Sequence, residues 1–372
     1  MDIIIGSAAG CIPLIFELYR TRRKVKLIGH SSTQAGAALC DSFEEINYHD
    51  QKENFEIIDK SISEVAGSVI YPGPHDLCYR VFVQYMESKG LLSAKDVELA
   101  ETLHNKRLFR DRIKSISSIH TPTTFHYNEL AVAKSLYSPI LFKPEHAGGG
   151  RGIVKLTSVA ELKGHKLSLG KENSSGVYEE FLEGDLYSVS LWQKNGTVLA
   201  FYGEKEFIDK HEFKVNASIT SNAIQEYLNS IFIPEMLAKI LVEFGFEQGF
   251  CHTQILLKNN GDWKIVECTL RLPGDLYPLN AQNFGSLPYS QMYLHSFVDK
   301  KLSFFDFKKM AKFPDDLVYG RVMHDKDAVL SRNVKPFMSY QSHKRNVSGS
   351  YQISYFKLPA MESLEVPVLL FD

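Results

Sequence analysis

Between Ser138 and Leu156 an apolar run, Pro139-Ile140-Leu141-Phe142, ends on Lys143, passes through Gly148-Gly149-Gly150-Arg151-Gly152 and returns as Ile153-Val154-Lys155-Leu156. Apolar, β-branched runs on either side of a glycine-rich turn read as two strands joined by a mobile loop. Glycines lack a Cβ, so their backbone N–H groups can approach anionic oxygens closely, while Lys143 and Arg151 bring positive charge from either side. An ordinary hairpin tip with basic flanks would look the same. The loop therefore gains its meaning from the rest of the chain.

That chain has 372 residues, 44% of them hydrophobic, enough for two or three packed domains. A net charge of -2 offers no field that would gather nucleic acid or an anionic membrane, which points to a small substrate. Five cysteines, odd in number and without a CxxC spacing, indicate neither a disulfide framework nor a zinc site, so a reducing, cytoplasmic setting is expected. The basic cluster Arg20-Thr21-Arg22-Arg23-Lys24 follows the apolar start, the reverse of a secretory signal, and no apolar run reaches the roughly 18 residues of a membrane span.

Asp2 to Ile5, a helix from about Ile12 to Arg22 and a strand Val25 to Ile28 form a βαβ opening. The glycines Gly6 and Gly10 lack the GxGxxG spacing, and His30 stands where a dinucleotide fold needs an acid, so a nicotinamide oxidoreductase is disfavoured. A helix near Glu53 to Ala66, a strand Ser68 to Tyr71 and a helix Asp76 to Lys89 complete a small α/β domain. Its loops Gly6-Ser7-Ala8 and Pro72-Gly73-Pro74-His75 are expected to face one crevice. Further on, Asn195-Gly196 and Asn260-Gly261 each mark a hairpin, and Ser221 to Phe244 between them carries helical periodicity. Counting outward from a two-residue turn at Asn260-Gly261 sets Gln254 opposite Glu267 and His252 opposite Thr269. His252, Gln254, Glu267, Thr269 and Arg271 then share one face, with Cys251, Thr253, Ile255, Leu257, Val266, Cys268 and Leu270 on the other. Val318 to Val322 reads as a strand, and the tail to Asp372 stays unassigned.

In this order and spacing, Lys106, Lys143 with Gly148 to Gly152, Glu179-Glu180-Phe181-Leu182, and Glu267 with Arg271 give a chain that resembles the ATP-grasp superfamily of carboxylate-amine ligases from Lys106 to about Pro278. His252-Thr253-Gln254 and Glu267-Cys268-Thr269-Leu270-Arg271-Leu272-Pro273-Gly274 look closest to its amino-acid and dipeptide ligase branch, whose patterns are H-x-E and E-x-N-x-R-x-G-G. Gln254, Thr269 and Pro273 depart from those patterns. The fold so implied is mixed α/β and α+β: a Rossmann-like pre-ATP-grasp domain over 1–98, a small lobe with the glycine-rich lid over 99–185, and a large lobe with a C-terminal extension over 186–372.

By the same resemblance, Lys106 and Lys143 would contact ATP phosphates, and Gly148, Gly149, Gly150 and Arg151 would form the lid. The hinge would be Glu179 to Leu182, with the backbone of Glu180 and Leu182 reading adenine and Phe181 backing the ring. Leu186 stands where the superfamily often has a ribose-binding Glu, leaving Asp185 as the nearest carboxylate. Glu267, with Gln254 and Thr269, would hold Mg2+ or Mn2+, whereas His252 reads better as a strand residue beside the metal, since imidazole suits Mg2+ poorly. Arg271, Lys205 and Gly274 complete the implied catalytic set. Phosphoryl transfer needs charge neutralised along a triphosphate, and two lysines, a glycine loop, a carboxylate-held metal and an arginine supply that. The resemblance implies an ADP-forming ligase joining a small carboxylate to an amine through an acyl-phosphate, without nucleic acid or membrane, with a homodimer among the expected assemblies. A carboxylase is the enzymatic rival; an ATP-binding scaffold without catalysis is the other, motivated by Gln254, Thr269 and Leu186.

Overall fold

Continuous apolar runs such as Ile3-Ile4-Ile5 suit strands covered on both faces, and all three residues are fully buried. The computed structural model describes residues 1–65, 67–136, 138–146, 148–169, 175–208, 213–298, 311–314, 317–325, 338–343 and 350–359. In it β1 (Asp2–Ile5), α1 (Ile12–Arg20), β2 (Val25–Gly29), β3 (Ser42–Glu45), α2 (Gln51–Ser63), β4 (Ile70–Pro72) and α3 (Asp76–Ser88) alternate as the sequence implies. The four strands form a parallel sheet of order β3-β2-β1-β4. Strand β3 was not anticipated, because Ser42-Phe43-Glu44-Glu45 is a polar edge strand without an apolar run.

Two helices, α4 (Ala94–His104) and α5 (Lys106–Ile116), lead out of this layer. The Asn105 side chain accepts hydrogen bonds from the backbone N–H groups of Arg107 and Leu108, so α5 starts at Lys106. Next come β5 (Thr124–Phe125), α6 (Tyr127–Val132), β6 (Ile140–Pro144), β7 (Val154–Leu156), α7 (Val159–Ser168) and β8 (Gly176–Glu180). Their four strands make an antiparallel sheet of order β5-β8-β6-β7, in which the glycine loop joins β6 to β7 as expected.

The remainder comprises β9 (Asp185–Lys194), β10 (Thr197–Ile208), β11 (Val215–Thr220), α8 (Asn222–Ser230), α9 (Ile233–Phe244), β12 (Gln248–Leu257), β13 (Trp263–Thr269), α10 (Pro278–Asn283), α11 (Tyr289–Val298), β14 (Leu317–Asp325), β15 (Met338–His343) and β16 (Ser350–Pro359). Eight of these elements form one sheet, β13-β12-β9-β10-β11-β14-β16-β15, so the unassigned tail supplies part of it; residues 360–372 lie outside the described residues. The helical stretch from Ser221 to Phe244 is two helices, because Phe232 takes a left-handed φ of 58° and Pro234 restarts the chain as helix.

At Asn195-Gly196 both turn residues have positive φ, 50° and 78°, and Lys194 pairs with Thr197, the expected two-residue hairpin. The second hairpin differs. The Lys258 N–H donates to the Asp262 carbonyl at 2.8 Å, so its turn holds three residues, Asn259, Asn260 and Gly261. Leu257, Leu256 and Ile255 then pair with Trp263, Lys264 and Ile265, one step away from the counted register, until a bulge at Val266 restores Gln254 opposite Glu267 and His252 opposite Thr269.

One face of the large sheet is apolar and covered by α8 and α9, with Val189, Leu191, Phe201, Ile255, Leu257, Trp263, Ile265 and Cys268 in that core. The opposite face packs Trp192, Tyr202 and Phe250 against α11 and against Leu14, Ile15 and Leu18 of α1, so the first domain shares a core with the large sheet.

Candidate functional site

The bulge decides which side chains reach the cleft. Trp263 and Ile265 lie on the α9 side together with Cys268 and Leu270, odd and even positions on one face, because Val266 is skipped. Val266 is therefore not a member of the alternating apolar set. The skip carries Glu267 to the opposite face, in line across four strands with Gln254, Ser188 and Glu204. Glu267 borders a narrow cleft with Lys106, Asp76, His104 and His146. Lys106, at the first position of α5, is anchored there by its backbone N–H on the Glu145 carbonyl at 3.1 Å.

Behind the cleft sits a buried charge cluster that the sequence did not suggest. Arg110, 2% exposed, donates through Nε to Glu179 Oε2 at 2.7 Å, through Nη1 to the Ile265 carbonyl at 3.2 Å and through Nη2 to the Val266 carbonyl at 2.8 Å. Lys143 pairs with the other Glu179 oxygen. Burial alone would raise the Glu179 carboxyl, but Arg110 and Lys143 outweigh it and hold the group down at about 2. Burial pushes the Lys143 ammonium down, and Glu179 offsets part of that. Lys143 is the penultimate residue of β6, and its amine points into this cluster.

Hinge candidates Glu180 and Phe181 are tied by backbone: Glu180 N–H donates to the Thr123 carbonyl at 2.9 Å and Phe181 N–H to the Pro139 carbonyl at 3.0 Å. The Lys155 amine lies 3.7 Å over the Phe181 ring, and Leu182 follows half-buried. The glycine loop reaches toward the first domain. Gly149, Gly150 and Gly152 take φ of 64°, 77° and 72°, the left-handed region that only glycine adopts freely, and Arg151 Nε donates back to the Gly148 carbonyl at 3.1 Å. A Cβ on Gly148 would lie 3.8 Å from Asp76 Oδ2.

Asp76, the first residue of α3, was also unforeseen. Arg271 grips it in a two-pronged pair, Nε to Oδ1 at 2.6 Å and Nη2 to Oδ2 at 2.9 Å, and donates through Nη1 to the Leu272 carbonyl at 2.9 Å. Burial would raise the Asp76 carboxyl, but the guanidinium holds it well below the usual carboxylate range. Beside it, burial and then Arg271 push His75 down to about 4. Thr269 Oγ1 sits 3.5 Å from Asp76 Oδ1, and Gly274 lies against the Gly10 loop of the first domain. Asp76→Asn is expected to lower stability by about 2–3 kcal/mol, between the values for exposed and fully buried pairs. An unchanged thermal midpoint would show that Arg271 does not depend on Asp76.

Lys205 does not join this face. It aligns with Tyr187 and Ile255 on the apolar side of the sheet and pairs with Asp185 at 2.7 Å, which also engages the carboxylate considered for ribose. Its neighbours Glu204 and Glu206 take the cleft-side face instead. Gln254 Nε2 donates to Glu206 Oε2 at 2.6 Å, and burial raises the Glu206 carboxyl to about 7. Glu204 accepts from Arg321 Nε at 3.3 Å, and Arg321 also donates to the Asp275 carbonyl at 3.2 Å. His252 is a strand residue bonded through Nδ1 to Ser190 Oγ at 2.8 Å, and burial holds it at about 3, the neutral form. Alternation along β10 from Tyr202 places Glu204 and Glu206 on the site face.

Residues 103–236 match the profile of the ATP-grasp domain family. A comparison with curated protein sequences gave no match. Among solved structures, an L-amino acid ligase from Bacillus licheniformis superposes with a TM-score of 0.75 at 16% identity, covering 98% of this chain and 95% of that one. The biotin carboxylase domain of the Hydrogenobacter thermophilus 2-oxoglutarate carboxylase, in complex with MgADP, ADP and bicarbonate, gives 0.71 at 14% identity over 98% and 88%. Phosphoribosylglycinamide synthetase from Anaerococcus prevotii gives 0.68 at 14% over 99% and 97%. At such identities the likeness is one of fold.

Proposed function

From the premise that the chain has the ATP-grasp fold and carries an ATP-grasp domain over residues 103–236, we propose that it is an ATP-dependent, ADP-forming ligase that joins a small carboxylate to an amine. The observation that carries this reading is Glu267 facing Lys106 over one cleft, at the end of a polar line that continues across the sheet through Gln254, Ser188 and Glu204. Lys106 and the lid amides of Gly148 to Gly150 would neutralise a triphosphate, and the backbone of Glu180 and Leu182 would meet the adenine edge.

One carboxylate, Glu267, together with phosphate oxygens suits a hard divalent ion. Gln254 has its nitrogen on Glu206 and keeps its carbonyl oxygen as a donor, and Thr269 offers a hydroxyl. Bound Mg2+ would supply charge stabilisation for the transferred phosphoryl group. Each terminal nitrogen of Arg271 keeps one N–H beyond its contacts with Asp76 and Leu272, so the guanidinium can hold an acyl-phosphate in a plane that Asp76 fixes. The lid would exclude water, which would otherwise hydrolyse that intermediate.

Beyond the metal edge, Glu204 and Glu206 set two buried carboxylates against the single guanidinium of Arg321. ADP release measured against a library of carboxylates and amines tests the proposal. Turnover with bicarbonate alone would favour the carboxylase, and nucleotide binding without any turnover would favour the scaffold, which the Gln254–Glu206 and Arg271–Asp76 pairings also support. A further expectation concerns the lid: amide exchange across residues 148–152 should slow about tenfold or more on adding ATP, because phosphate contacts must offset the entropy of ordering three glycines. Equal exchange with and without ATP would leave the loop a structural hairpin.

A further inference from the structure

We infer that Arg110 is a positioning residue that holds the β13 bulge open and so sets which side chain of that strand faces the cleft. Without the bulge, the register of the hairpin end would continue: Gln254 would meet Val266, and Glu267 would meet Thr253 on the apolar side. The skipped residue is therefore the condition for Glu267 to reach the cleft. β13 is the edge strand of its sheet, where successive carbonyls normally alternate between the neighbouring strand and the open side; at the bulge the two successive carbonyls of Ile265 and Val266 are both taken by the terminal nitrogens of one guanidinium. The third donor, Nε, fixes that plane on Glu179, which in turn pairs with Lys143. Arg110 stands one helical turn after Lys106 on α5, so a single helix carries both the cation that borders the cleft and the pin that orients the carboxylate opposite it. A planar fork can serve two carbonyls and a carboxylate at once, whereas a lysine ammonium is a point donor.

This inference rests on the ligase reading for its purpose, while its geometry can be tested apart from it. The test is Arg110→Lys in the full chain, with two readouts: amide exchange across residues 263–269, and ADP affinity by calorimetry with Mg2+ and in EDTA. Exchange at 263–269 is expected to rise about tenfold. The gain in ADP affinity from Mg2+ should fall about tenfold while metal-free ADP affinity stays nearly constant, as when a group that orients a metal ligand is lost. Deleting Val266 in the Arg110→Lys background removes the skipped residue, makes the ladder regular with Glu267 still opposite Gln254, and should restore both readouts. Unchanged exchange and an unchanged Mg2+ effect in folded Arg110→Lys would overturn the inference. If Arg110→Lys does not fold, recovery of folded protein by the deletion supports it and failure to recover overturns it. A wild-type chain that binds no ADP in either condition would sink the ligase reading, and the exchange data would then decide on Arg110 alone.

Discussion

Glu267→Gln is expected to lower ATP-dependent ADP release by about 10²–10³-fold, the usual scale for losing one preorganised charge at a transition state. The substitution keeps the length and hydrogen-bonding capacity of the side chain and leaves the β12–β13 register intact, so stability should change little. Gln254 already stands opposite as an amide, and a second amide would leave that strand pair without a carboxylate. Titration of Mg2+ against ADP release is the check; wild-type turnover at low Mg2+ would rule out Glu267 as the proposed metal ligand. The converse change, Gln254→Glu, would place a carboxylate where an amide now donates to Glu206 at 2.6 Å. It should make turnover steeply dependent on both Mg2+ and pH, because two carboxylates that close cannot both ionise without a cation between them.

The largest effect on folding is expected for Glu179→Ala. Removal of the carboxylate leaves Arg110 and Lys143 facing each other in a buried site, at a cost of about 3–5 kcal/mol. Lys143→Ala should destabilise less, since Glu179 keeps Arg110. Chemical denaturation of the two variants gives the order; a Glu179 variant as stable as the wild type would show that the cluster contributes nothing. The pH dependence follows from the depressed carboxyl. Its contribution is fully present above the ordinary value of 4.5 and is lost as pH falls toward about 2. Acid unfolding of wild type between those values should be blunted in Glu179→Gln, whose neutral side chain has no such proton to take up.

Local patterns announced most of the elements and few of the contacts. Alternating strands and helices, the glycine loop between β6 and β7, and the Asn195-Gly196 turn were legible because each is specified by neighbouring residues. The pairing of Gln254 with Glu267 was also anticipated, but through two departures that cancel: a turn one residue longer than counted, and a bulge that restores the step. Nothing in Trp263-Lys264-Ile265-Val266-Glu267 signals a skipped residue until the three-dimensional partners of its carbonyls are known. Arg110 and Asp76 were missed for the same reason, since their partners lie 69 and 195 positions away along the chain. Glu204 and Glu206 were hidden differently: a Glu-Lys-Glu run resembles a solvated strand end, and only burial of the neighbouring strands makes it an interior feature.

The shared core of the first domain has a consequence for synthesis. Leu14, Ile15 and Leu18 of α1 share one core with residues as distant as Tyr289, Tyr293 and Tyr319. At ribosomal rates of about 5–20 residues per second, roughly 15–60 s separate the emergence of α1 from that of the last of these residues. Throughout that interval the nascent chain presents a ready-made apolar stripe on an otherwise complete α/β layer. A trigger for premature association is thus built into the order of translation, and trapped ribosome-bound chains halted before residue 289 should engage holdase chaperones more strongly than chains released at full length.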